Sequence, residues 1–280
     1  METKLSSATK EVIIGDNRPT VLIGECINPT GKKQLAASLE ANNLDIVREL
    51  ALAQAQAGAD ILDINVGTPT VDEVALLPEA VISVMRTVDL PLCIDTPNPN
   101  AMEAALKVYQ GKALLNSITG EENSLDRILP LVKKYGAAVI ALVQDDEGIP
   151  KDIERKVAIA RKIVQRAEAM SIPRADIIID SLAFALAAEP GSGLLILETI
   201  RRIRTELGVN LSLGTSNISY GLPDRGLINS AFLAMAIAAG VNCPIVNAAK
   251  IRPVVLAADL ILNRDSYAQR YIHAFRQRRK

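Results

Sequence analysis

The chain has 280 residues and 49% hydrophobic against 22% charged side chains, a balance that excludes a disordered polymer. With 31 Lys+Arg against 32 Asp+Glu, no Trp and 3% aromatics, it lacks both the basic surface and the stacking platforms of a nucleic-acid binder. A single histidine, His273, excludes His-based zinc triads and Ser-His-Asp hydrolysis unless that residue acts alone.

In chain order, short apolar runs alternate with helical patterns. The predicted strands are 21–24, 60–65, 91–95, 113–116, 138–143, 176–180, 211–214 and 244–247. Helices are predicted near 44–57, 71–88, 100–109, 125–135, 152–170, 194–207, 227–239 and 254–275. Gly58, Gly111, Gly136, Gly208 and Gly240 stand where a left-handed residue would close a helix. The strands are apolar on both faces, as expected of strands between a barrel interior and a ring of helices. Eight strand–helix units with no linker predict an α/β fold, a single (β/α)8 TIM barrel spanning residues 1–280. An open doubly wound sheet is the rival, and the Gly-rich first turn it would more often carry is missing.

The N-terminus carries no apolar stretch before a small-residue cleavage site, and no apolar run reaches the roughly 20 residues that span a bilayer. Cys26, Cys93 and Cys243 are odd in number and widely spaced, which predicts buried thiols and no disulfide framework. The expectation is a cytoplasmic protein, with no membrane and no nucleic-acid partner.

In a barrel of this kind the active site lies at the C-terminal strand ends. Those ends read Glu25 and Asn28, Asp63 and Asn65, Asp95, Asn116, Gln144 and Asp145, Asp180, Gly214-Thr215-Ser216-Asn217, and Asn247. Carboxylates and carboxamides recur, while Lys, Arg and His are missing from the strand ends themselves. Any one of these residues is explained equally well as a helix N-cap. The set as a whole suits an uncharged heterocycle rich in N–H donors and suits phosphate poorly. Asp63 reads as a buried support residue. No P-loop or GxGxxG is present, and no metal ligation by this chain is predicted.

The strings GECIN (24–28), DINVG (63–67), LCIDTPN (92–98), LLNSI (114–118), IIIDSL (177–182), GTSNIS (214–219) and INSAFLAMA (228–236) together resemble the pterin-binding methyltransferases. The nearest likeness is to methyltetrahydrofolate:corrinoid protein methyltransferases, and it covers about Val21 to Asn263. Each string alone is weak; their order is specific. The resemblance implies that Asp95, Asn116 and Asp180 hold the pterin, with Gly214 and Ser216 close to the ring. It implies that Asn217 hydrogen-bonds near N5, the atom carrying the methyl group. By position Arg225 is a partner for the folate tail, whereas Tyr220 stands where the family often has glutamine.

Implied in turn are tetrahydrofolate or 5-methyltetrahydrofolate as substrate and a cobalamin-type corrinoid carried on a partner protein. A homodimer is also implied, and Phe232–Ala239 is an apolar stretch able to form an interface or a core helix. The alternatives are a dihydropteroate synthase-like transferase, disfavoured because GTSN carries no lysine, and a non-catalytic folate-binding subunit.

Overall fold

The computed structural model describes residues 1–277. Two strands, β1 (Glu2–Ser6) and β2 (Glu11–Gly15), pair antiparallel ahead of the barrel. Eight parallel strands follow: β3 (Ile23–Ile27), β4 (Ile61–Ile64), β5 (Leu92–Asp95), β6 (Leu114–Thr119), β7 (Ala138–Leu142), β8 (Ile177–Asp180), β9 (Asn210–Ser212) and β10 (Ile245–Val246). They pair in sequence, β10 returns to β3, and a bridge between Gly214 and Ile245 joins the last two strands. The (β/α)8 barrel is therefore closed around its circumference.

The helices between the strands are α1 (Lys33–Glu40), α2 (Asp45–Ala57), α3 (Glu73–Thr87), α4 (Pro99–Val108), α5 (Glu122–Tyr135), α6 (Ile153–Ala169), α7 (Ser192–Leu207) and α8 (Arg225–Ala239), and α9 (Ala248–Ile261) and α10 (Gln269–Gln277) follow the last strand. Strand period two sorts the side chains into two cores. Leu22, Leu62, Ile64, Leu92, Ile94, Leu115, Val139, Ile177 and Ile179 point outward against the helices. Their neighbours Ile23, Ile61, Cys93, Leu114, Ala138, Ile140 and Ile178 fill the interior.

The N-terminal hairpin, which has no counterpart in the predicted elements, plugs the end of the barrel opposite the strand C-termini. Its Leu5, Val12 and Ile14 join the interior core. Asn210 Nδ2 donates to Thr3 Oγ1 at 2.8 Å, and Asn242 Nδ2 donates to Asn210 Oδ1 at 2.7 Å, so the polar groups between plug and barrel are paired.

Three predicted helix stops hold: Gly58, Gly136 and Gly208 are left-handed caps. Two need correction. Gly240 closes α8 at φ 136°, outside the left-handed helical region. Gly111 caps no helix, because α4 ends at Val108; a side chain on Gly111 would strike the backbone carbonyls of Ser6 and Ser7, so it lets β1 approach. Helix α1 has no predicted counterpart, and α9 begins at Ala248, ahead of the predicted Val254, with Pro253 inside it. Phe232, Leu233, Ala236 and Ile237 of the apolar 232–239 stretch are buried under their own barrel, as a core helix requires.

Candidate active site

The inward register that places Ile61, Cys93, Leu114 and Ile178 in the interior carries a polar layer two residues further on: Asp63, Asp95, Asn116 and Asp180. Asp95 and Asn116 are direct partners across β5 and β6. Both line a cavity of about 360 Å³ with Pro97, Ser117, Thr119 and Gln144 among its walls.

Several strand-end residues spend an oxygen on their own loops. The Oδ1 atoms of Asn28, Asn65, Asp145, Asp180 and Asn247 each accept the backbone N–H two residues ahead, at 2.8–3.1 Å. This Asx-turn chemistry, with Asn247 capping α9, accounts for part of the pattern without any ligand. Asp145 is further engaged by Arg155 at 2.9 and 3.1 Å, which assigns it to an ion pair. Asp95 and Asn116 are different, since neither oxygen is claimed by a backbone N–H of its own loop.

Asp95 Oδ2 accepts from Asn65 Nδ2 at 3.0 Å. Burial, together with Glu25 and Glu73 nearby, lifts the Asp95 carboxyl to about 6, and the Asn65 bond opposes the rise. Asp63 is 1% exposed, accepts from Asn116 Nδ2 at 3.2 Å, and is pushed well above the usual carboxylate range by burial and by Asp95. Asp63 is buried, as its sequence pattern led one to expect. Glu25, on the same face of β3, is also raised by burial.

Asp180 is 4% exposed and accepts from Leu182 N at 2.8 Å and Gly214 N at 3.1 Å. Gly214 opens the 3-10 turn Thr215–Ser219, which leaves the side chains of Ser216 and Asn217 exposed. A Cβ on Gly214 would meet nothing within 4 Å, so its surface is open for close approach. Ser216 O accepts from Arg225 Nη2 at 2.8 Å, Ser219 Oγ accepts from Arg225 Nε at 3.0 Å, and the guanidinium lies 5.8 Å from the centre of the exposed Tyr220 ring. The predicted residues thus fall into two groups: Asp95 and Asn116 line one cavity, whereas Asp180, Gly214, Ser216 and Arg225 surround the turn after β9 and do not line that cavity. Asn217 sits on that turn, with its carbonyl accepting from Tyr220 N.

No strand-end residue is itself a cation, but lysines from neighbouring elements reach the strand ends. Lys156 of α6 is 0% exposed, and its Nζ donates to Ser181 O at 2.7 Å, directly after Asp180. Burial lowers its ammonium to about 8, while Asp180 and Asp152 act the other way. Lys32 Nζ reaches Cys26 O at 2.8 Å. The signal for Lys156 was available: it shares the buried face of α6 with Ala160 and Ile163, where a lysine is anomalous.

An eight-stranded barrel whose interior ends in a layer of carboxylates and amides defines the class, and comparison places the chain within it. The chain belongs to the pterin-binding enzyme family, whose model matches residues 24–247. It is 32% identical over 267 residues to the methylcorrinoid:tetrahydrofolate methyltransferase of Eubacterium limosum, covering 92% of this chain and 96% of that protein. It is 29% identical to the methionine synthase of Mycobacterium tuberculosis, covering 90% of this chain and 22% of that much longer protein. Among solved structures, dihydropteroate synthases of Thermus thermophilus (TM-score 0.70, 23% identity, 92% of this chain and 99% of that one) and Yersinia pestis (TM-score 0.70, 17% identity, 93% and 99%) share the fold.

Proposed function

We propose that this protein moves a methyl group between N5 of tetrahydrofolate and the cobalt of a corrinoid carried on a partner protein. The observation that carries the reading is the acceptor set: Asp95 and Asn116 line one cavity with oxygens unclaimed by their own loops, as a pterin edge with N–H and amino donors requires. The likeness to the E. limosum methyltransferase over nearly both chains supports the same chemistry.

In this reading Asp95, Asn116 and Asp180 accept hydrogen bonds from the pterin. Gly214 and Ser216 let the ring approach the turn backbone, and Arg225 pairs with the anionic folate tail beside Tyr220. The corrinoid supplies the cobalt that accepts or donates the methyl group. As the C–N bond of 5-methyltetrahydrofolate breaks, its electron pair stays on N5, and the Asn217 amide donates an N–H to that developing charge. An amide is no general acid, so the proton that finally rests on N5 comes from solvent or a carboxylate. No metal ligand is asked of this chain. The family reading also carries a homodimer, which sedimentation equilibrium measures directly, and a cytoplasmic setting.

The dihydropteroate synthase-like alternative needs a cation for a diphosphate leaving group. The 215–219 turn supplies no lysine, and Lys156 is enclosed with its amine on Ser181 O. A purely binding subunit would hold folate without turnover. The discriminating experiment is Asn217→Ala: transfer falls by roughly 100- to 1000-fold while folate still binds, on the scale of losing one preorganised donor. An unchanged rate removes Asn217 from the mechanism.

A further inference from the structure

A carboxamide is ambiguous in a binding site, because a half-turn about its last bond exchanges an acceptor for a donor. Asn116 is the amide on which the acceptor character of the cavity depends, and its orientation is decided from behind. Its Nδ2 points inward to Asp63 Oδ1 at 3.2 Å. Turned over, the amide would set Oδ1 against a carboxyl oxygen and leave its NH2 toward the cavity.

Asp63 is well placed to enforce the choice. It is 1% exposed on the inner face of β4, where it pairs in register with Cys93 of β5. The Cys93 thiol is a further hydrogen-bond partner of the Asp63 carboxyl, and Asp95 lies near enough to raise it. Oδ1 accepts from Asn116 in either ionisation state, provided that the proton of the neutral form sits on Oδ2. Asn65 differs: its Nδ2 is bound to Asp95 and its Oδ1 to Gly67 N at 2.8 Å, so both ends of that amide already have partners. Asn116 has one end fixed and one end spare.

We infer that Asp63 is a positioning residue that fixes the Asn116 amide with its carbonyl oxygen toward the bound heterocycle, and so selects ring edges that donate over ring edges that accept. The inference rests on the pterin reading above. It adds a specificity role to a residue buried beneath the ligand.

The test compares two pteridines by titration calorimetry, pterin and lumazine; in lumazine the 2-amino donor of pterin is replaced by a carbonyl acceptor and the adjacent N1 gains a hydrogen. The protein as it stands should favour pterin by roughly tenfold or more, the scale of one mismatched buried hydrogen bond. In Asp63→Leu the released amide can rotate, so the pterin-to-lumazine ratio should fall about tenfold toward unity. A merely structural contribution would weaken both ligands by the same factor, and an unchanged ratio overturns the inference while leaving the pterin site intact. Failure of the unaltered protein to bind either pteridine overturns the pterin reading and the inference with it. Should Asp63→Leu not fold, the unaltered protein decides by NMR. The Asn116 side-chain amide protons, assigned by their loss in Asn116→Asp, should exchange with solvent at least about tenfold more slowly than those of exposed Asn100, as a buried hydrogen bond requires. Equal exchange rates overturn the inference.

Discussion

The carboxylate of Asp180 and the backbone N–H of Gly214 meet at 3.1 Å, tying the end of β8 to the first residue of the turn that bears Asn217. The same carboxylate takes Leu182 N at 2.8 Å, and Leu182 is held at φ 54°, a region a leucine enters only when its surroundings enforce it. One buried side chain therefore sets the shape of two adjoining loops.

Replacing Asp180 by Asn tests that arrangement. An amide has one acceptor oxygen and an NH2, so Leu182 N and Gly214 N can no longer both be served in the same way. An unpaired buried donor costs about 1–3 kcal/mol. Calorimetric affinity for 5-methyltetrahydrofolate should drop by at least about tenfold, and an affinity equal to that of the parent protein would exclude Asp180 from the pterin edge.

Asp95 predicts a pH dependence of binding. Its carboxyl is raised to about 6, so below that pH the group is neutral and one of its oxygens carries a proton, whereas above it both oxygens accept. Folate affinity should climb between pH 5 and 7 and then level off. Asp95→Asn, which has no such titration, should flatten the profile; a curve of the same shape in the variant would show that another group is responsible.

Lys156→Met should lower stability by about 1–3 kcal/mol, because the Ser181 carbonyl loses its buried donor. The pH dependence has a definite sign. The folded-state ammonium titrates near 8, below its ordinary 10.5, so between those values the unfolded chain binds the extra proton. Stability of the parent relative to the variant should then increase as pH rises from 8 toward 10. Urea melts of both proteins at pH 7 and 9.5 measure this; a gap that stays constant or narrows contradicts the assignment.

Far from the rim, Asp259 of α9 is 0% exposed and accepts from Thr20 N at 2.9 Å, Thr20 Oγ1 at 2.7 Å and Arg270 Nη1 at 3.0 Å. It fastens the chain entering β3 to α9 and α10. Asp259→Ala strands the buried Thr20 donors and should cost about 1–3 kcal/mol, the scale of an unpaired buried donor. Chemical denaturation showing less than about 1 kcal/mol would place the C-terminal helices outside the cooperative unit.

The barrel was legible because its evidence is repetitive: apolar strands such as Ile177–Ile179 and helices closed by Gly58, Gly136 and Gly208 recur around the ring. The hairpin of β1 and β2 was not, because Leu5 and Ile14 read as an ordinary polar-flanked N-terminus until the barrel floor they cover is known. The strand-end positions of Asp95, Asn116 and Asp180 were readable, while their separate hydrogen-bond partners were not. Local sequence cannot distinguish Asn65, whose two ends are both engaged, from Asn116, which keeps an oxygen spare. Lys156 is invisible to a reading of strand ends, because it is a helix residue that arrives there from outside.

The central claim is methyl transfer, and the corrin chromophore reports it directly. Cob(I)alamin with 5-methyltetrahydrofolate, or methylcobalamin with tetrahydrofolate, is mixed with the protein and the absorbance followed, first with the free corrinoid and then with a purified corrinoid carrier protein. The account predicts conversion between the Co(I) and methyl–cobalt spectra that depends on both folate and protein. Tight folate binding with no conversion by either corrinoid form in either direction would contradict it.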